Sequence, residues 1–169
     1  MLEIERKFIM QGFPEDILSA EELETYGLEL VREVEIEQGY LCVEPEVRLH
    51  GAKDIQSGKE NYRLTLKGGG TLSRTEVITD VTREFYEEAK SMLPGKMIEK
   101  LYHKYQFGDL FLEVCYVDAG SRHEFYYGEI EFATEEEAKN FEPPTFLSME
   151  VTYDENCKMK NYWKRTRIA

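Results

Sequence analysis

The tightest constraint on this chain is a period-two alternation that runs along almost all of it. LEIERKFI, VEIEQGYLCV, EVRLH, ENYRLTLKG, RTEVITDV, MIEKLYHKYQF, LFLEVCYVD, FYYGEIEFA and LSMEVTYD each carry apolar or aromatic residues at alternate positions. Successive side chains of an extended segment point to opposite faces, so each stretch reads as a strand with two unlike faces. Turn-forming residues, among them Gly68 to Gly70 and Gly120-Ser121, separate several of the stretches. Eight or nine strands of this kind call for a closed or stacked sheet.

The first strand places Glu3, Glu5 and Lys7 on one face and Leu2, Ile4 and Phe8, with Arg6, on the other. A surface strand with a solvated top would show the same pattern, so this segment decides nothing alone. The ionic face recurs, however. Glu129 and Glu131 share a face of GEIEF; Lys67 closes NYRLTLK in phase with Arg63 and Thr65; Arg48 stands between Val47 and Leu49; Arg74 and Glu76 pair in SRTE; Glu113 lies in FLEVC and Lys100 in IEKLY. Two architectures fit these residues: a sheet that buries its oily face beneath helices and turns its charges to water, or a barrel closed around a polar tunnel.

Helical patterns are few. Ser19 precedes Glu22 by three residues, which suits a capped start; Thr82 to Leu93 is a second candidate, closed by Pro94-Gly95; Thr134 to Phe141 is a third, with Thr134 as cap. The basic C-terminal segment KMKNYWKRTRIA is compatible with a last helical turn or a loose tail.

A length of 169 residues suits one domain spanning 1–169. With 34 acidic and 21 basic residues, a formal net charge of −13, the chain lacks the basic surface that nucleic acid or an anionic membrane requires, so any anion must be bound locally. The opening residues carry charges where a secretory leader needs an apolar run, and no later run is long enough to cross a bilayer; a cytoplasmic protein is expected. Cys42, Cys115 and Cys157, like His50, His103 and His123, are scattered without zinc-site or disulfide spacing.

The order of the charged blocks resolves the choice of architecture. Glu3-Ile4-Glu5-Arg6-Lys7 resembles the ExExK motif of the CYTH superfamily, the triphosphate tunnel metalloenzymes. The resemblance continues in order through Gln38-Gly39-Tyr40-Leu41, Val47-Arg48-Leu49, Leu64-Thr65-Leu66-Lys67, Ser73-Arg74-Thr75-Glu76, Ile98-Glu99-Lys100, Glu129-Ile130-Glu131-Phe132 and Glu150-Val151-Thr152. It implies a mainly β fold, an eight-stranded antiparallel closed barrel around a charged central tunnel with a few short covering helices. The chain looks most like the short bacterial members that hydrolyse inorganic tripolyphosphate.

The resemblance also implies roles. Lys7, Arg48, Lys67, Arg74 and Lys100 match phosphate-contacting positions, and clustered cations suit a polyanion. Glu3, Glu5 and Glu131 match metal ligands for Mg²⁺ or Mn²⁺, ions that prefer oxygen donors, with Glu129, Glu113 and Glu76 as supporting acids. Lys67 and Tyr40 match a pair proposed to activate the attacking water. The chain departs from the family pattern at His50, Tyr102 and Ile78, where Arg, Arg and an acid are common; Arg63 and Lys104, in phase with Lys67 and Lys100, are possible compensating cations. The implied substrate is a small triphosphate or polyphosphate, with no nucleic-acid or membrane partner; oligomeric state, a homodimer included, stays open. The same tunnel serves class IV adenylate cyclases and thiamine triphosphatases, and a non-catalytic polyphosphate or organophosphate binder is the alternative of a different class.

Overall fold

The computed structural model describes residues 1–168. Nine strands form, in chain order: β1 (Leu2–Met10), β2 (Leu28–Val43), β3 (Glu46–Asp54), β4 (Glu60–Lys67), β5 (Ser73–Asp80), β6 (Ile98–Phe107), β7 (Leu110–Val117), β8 (Phe125–Glu131) and β9 (Met149–Glu150). Short helices interrupt them: α1 (Pro14–Ile17) and α2 (Ala20–Tyr26) before β2, α3 (Arg83–Ser91) before β6, α4 (Glu135–Asn140) after β8 and α5 (Met159–Trp163) after β9. The strand order is β5-β4-β3-β2-β6-β7-β8-β1, antiparallel throughout, and the pairing of β1 with β5 closes the ring. β9 lies outside the barrel on the β1 edge, so LSMEVTYD is a strand for only two residues. Among the described residues no helix is long and apolar enough to cross a membrane.

Closing a two-faced sheet puts one face of every strand inside and leaves the other to build the core. Outward-facing Ile4, Phe8, Leu112, Val114 and Ile130 pack with Phe13, Ala138 and Leu147 beneath α1, α2 and α4. Leu49 and Met97 pack with Tyr86 and Ala89 of α3. Gly51 makes room for that helix, since a Cβ there would stand 2.6 Å from the Tyr86 hydroxyl. The helices begin where their caps predict: Ser19 forms a full capping box with Glu22, and the Thr82 and Thr134 hydroxyls accept from the amides of Phe85 and Glu137.

Arg6, the charge on the oily face of β1, is a clamp. Its guanidinium donates to both Glu150 oxygens at 2.7 and 2.6 Å and to the carbonyls of Ala138 and Phe141 at 2.8 and 2.7 Å, fastening β9 and the end of α4 to the barrel.

The basic C-terminal segment is helical, α5 running into a π-type turn at Lys164–Ile168. Met159, Tyr162 and Trp163 plug one end of the barrel against Tyr40, Ile98, Val117 and Tyr127. Asp118 holds the plug in place. Its carboxylate accepts from Arg167 at 2.7 and 2.9 Å, from the Glu99 amide at 3.1 Å and from the Tyr162 hydroxyl. Burial works against this carboxylate, but Arg167, Tyr162 and the Glu99 amide outweigh it and hold Asp118 below the usual carboxylate range.

A folded-state value below the unfolded one gives stability that is complete above about pH 4 and is lost as pH falls through the folded value. Asp118→Asn is expected to cost about 2 kcal/mol at pH 7, a fall in Tm of about 4–8 °C. The gap between variant and wild type should narrow on acidification below about pH 4 in thermal melts. An Asp118→Asn protein that melts with wild type at neutral pH would show that the plug is held by other contacts.

Candidate active site

The inward faces enclose a cavity of about 210 Å³. Alternation on separate strands delivers its charges: Glu3, Glu5 and Lys7 from β1, Glu46 and Arg48 from β3, Lys67 from β4, Arg74 from β5, Lys100 from β6, Glu113 from β7, Glu129 and Glu131 from β8. Gln38 and Tyr40 of β2 also line it, and the C-terminal segment contributes Asp154 and Lys158.

Part of this charge is paired internally. The Lys67 ammonium stands 3.1 Å from Glu3 and 3.2 Å from Glu76, and Arg74 lies 3.5 Å from Glu3 and 3.4 Å from Glu46. The rest is not. Lys7 donates to the Cys157 carbonyl at 2.8 Å and sits 4.1 Å above the Tyr127 ring. Lys100 donates to Gln38 at 2.9 Å and to the Tyr127 hydroxyl at 2.6 Å. The buried Arg48 Nε has no hydrogen-bond partner among the described residues. Thus Lys7, Arg48 and Lys100 have no carboxylate within ion-pair distance there, in a chain with 13 more acids than bases. A buried cation left without an anion is costly, which makes this cavity a receptor for one.

The acids are crowded together. Burial, reinforced by Glu129, drives the Glu5 carboxyl well above its ordinary range. Burial would raise Glu129 as well, but Lys7, a hydrogen bond from Glu5, and Lys67 and Lys100 hold it down, so the two neighbouring carboxyls are pushed in opposite directions. Burial and then Glu129 push Glu113 up to about 7. An all-oxygen donor set that retains protons is one that a hard cation could enter by displacing them. Among the described residues no three such groups already stand close enough to cage an ion.

The chain is 33% identical over 163 residues to an inorganic triphosphatase from Nitrosomonas europaea, the match covering 95% of each. It belongs to the inorganic triphosphatases of the CYTH superfamily. A crystal structure of an inorganic triphosphatase superposes with a TM-score of 0.59 at 26% identity, over 95% of this chain and 93% of that one. A Hippeastrum adenylyl cyclase candidate with a dominant triphosphatase activity superposes at 0.54 over 81% of this chain and 82% of that one, but at 14% identity it speaks to the fold alone. No family model matches the chain.

The barrel of this family brings together all five cations matched in the sequence, with Tyr40, Glu3, Glu5, Glu113, Glu129 and Glu131. Glu76 stands behind Lys67 rather than in the cavity wall. The two compensating cations lie elsewhere. Arg63 lines an adjoining recess, and Lys104 sits 4.2 Å above the Phe111 ring in a groove that shares Glu113 and Glu131 with the cavity. Sequence reasoning missed Glu46 and Gln38 as site residues. Glu46 is in phase with Arg48 on β3 and opposite Lys67 on β4, a parity signal that was present, but its side chain is only 5% exposed and pairs Arg74 from a strand it does not touch. Gln38 acts as a relay, accepting from Lys100 and donating to the Tyr40 oxygen at 2.8 Å.

Burial pushes Lys100 down to about 8, with Arg48 adding to the shift and Cys115 opposing it. Nitrogen-detected NMR of the lysine amines is therefore expected to show one resonance titrating near pH 8, against about 10.4 for ordinary lysines. Lys100→Met should delete that resonance; its survival would place the perturbed amine elsewhere.

Proposed function

We propose that this protein hydrolyses inorganic tripolyphosphate within the barrel, using Mg²⁺ or Mn²⁺, as a cytoplasmic enzyme without nucleic-acid or membrane partners. The observation that carries the reading is the trio of interior cations, Lys7, Arg48 and Lys100, without a carboxylate partner in an acidic chain. The 33% identical relative named inorganic triphosphatase supports the same substrate.

A triphosphate concentrates negative charge along a short line. Lys7, Arg48 and Lys100 bind it without breaking an existing ion pair, and the Arg48 fork grips two phosphate oxygens at once. Lys67 and Arg74 exchange carboxylate contacts for phosphate contacts, which frees Glu3. Glu3, Glu5 and Glu131 would hold the divalent ion, a hard cation that takes oxygen donors. When bound, the ion draws charge off the phosphate oxygens and the leaving group. Glu129, Glu113 and Glu76 orient neighbours: Glu129 faces Lys7, Glu113 accepts from Tyr102, and Glu76 holds Lys67.

Lys67 and Tyr40 position the attacking water. Burial pushes the Tyr40 phenol well above its ordinary value, so it keeps its proton. Its oxygen already accepts from Gln38, which leaves the hydroxyl hydrogen to donate into the cavity.

Purified protein supplied with tripolyphosphate, pyrophosphate, ATP or thiamine triphosphate is expected to release orthophosphate fastest from tripolyphosphate. Turnover should stop on chelation and return with Mg²⁺ or Mn²⁺. Arg48→Ala, Glu5→Ala and Lys67→Ala should each lower kcat/KM about 100-fold. Undiminished turnover in both Glu5→Ala and Lys67→Ala would undo the assignment. Cyclic AMP from ATP would make the protein a cyclase, and tight binding without orthophosphate release would make it a binder.

A further inference from the structure

A second recess, also of about 210 Å³, adjoins the main cavity and shares Ile36, Arg48, His50 and Tyr102 with it. Its wall is built where β3 runs beside β4, with His50 opposite Arg63 and Ala52 opposite Asn61. Among the described residues, four buried side-chain nitrogen or oxygen atoms lack a hydrogen-bond partner, and three of them belong to this wall: Arg48 Nε, His50 Nδ1 and Asn61 Oδ1. Buried polar groups are rarely left unsatisfied, so three in one recess mark a place for a ligand.

The charge of the recess states which ligand. Arg32, Arg48 and Arg63 line it, and no aspartate or glutamate does, although the chain carries 34 acids. Arg63 and Arg32 sit at the rim, 44% and 50% exposed, each using Nε toward an outer carboxylate, Asp80 at 3.4 Å and Asp54 at 3.1 Å. Asp80 is 84% exposed, and a pair so solvated yields readily to a stronger anion. The Asn61 amide, turned half a revolution, presents its NH₂ to the same space. Burial, then Arg48, holds His50 well below its usual range, so it enters as a neutral imidazole. The three departures from the family pattern also converge here, because His50, Ile78 and Tyr102 all line the recess. Ile78 in place of an acid removes the charge that would repel an anion.

We propose that the recess is a subsite for one tetrahedral phosphate oxyanion beyond the three held in the main cavity, an inference that rests on the triphosphatase reading for what fills that cavity. The same chemistry serves the fourth phosphoryl of a linear tetrapolyphosphate and free orthophosphate.

Calorimetric affinities of wild type, Arg63→Ala and Arg63→Lys for tripolyphosphate, tetrapolyphosphate and orthophosphate test it, with divalent ions chelated so that neither chain is cleaved; hydrolysis is read in parallel with metal present. Arg63→Ala is expected to weaken tetrapolyphosphate about tenfold more than tripolyphosphate, with Arg63→Lys between the two. A loss confined to orthophosphate supports the subsite and assigns it to the free ion. Equal changes for both chains with orthophosphate unaffected would overturn the proposal. A differential that persists in a protein without turnover leaves the subsite standing and sinks only the hydrolase reading.

Discussion

Charges of both signs buried inside a closed sheet are the constraint on which the rest of this structure depends. Removing an ion from water costs several kcal/mol even after relaxation, and a partner offsets this only where the geometry is good. Lys67 and Arg74 meet that condition through Glu3, Glu76 and Glu46. Lys7, Arg48 and Lys100 do not, and they are held in place by carbonyls, amides, an aromatic face and the strands themselves. The interior therefore carries an electrostatic cost that a bound polyanion would relieve.

It follows that the core must lie elsewhere. With much of the inner face given over to polar groups, apolar burial falls to the outer face, which needs a cover, and to the plugged end of the barrel, where inward Tyr40, Ile98, Val117 and Tyr127 meet the C-terminal segment. The short helices supply it over β1, β7 and β8 and over β3, while the C-terminal segment closes the end of the barrel with Met159, Tyr162 and Trp163. Polar fasteners secure the covers: Arg6 to Glu150 and to two carbonyls around α4, and Arg167 with Tyr162 to Asp118. These sites of stabilisation lie outside the cavity, so the interior keeps its unpaired cations without the fold depending on them.

The strands were legible because alternation is a local property, and eight of the nine stretches become full-length strands. The ninth is short because Glu150 turns to Arg6 and the chain then leaves the sheet, a long-range event without a local mark. The three covering helices were legible through their caps. Whether the C-terminal residues formed a helix was not, since the apolar partners of Trp163 lie on β2, β6 and β8. The site was legible wherever a charge followed strand parity within a known block. Arg63 and Lys104 share the phase of Lys67 and Lys100 but lie four residues away from them along β4 and β6, and they line neighbouring recesses instead of the main cavity.

The sequence by itself determined which face of each strand is ionic and that these faces recur in a family order, because side-chain direction in an extended chain follows from residue number. Only the tertiary structure decided which charges neutralise one another and which are left over. Glu46 meets Arg74, and Arg48 meets no carboxylate, through barrel closure and strand stagger, which juxtapose residues far apart in the chain. Likewise, His50, Ile78 and Tyr102 read as three unrelated departures until closure gathers them into one recess.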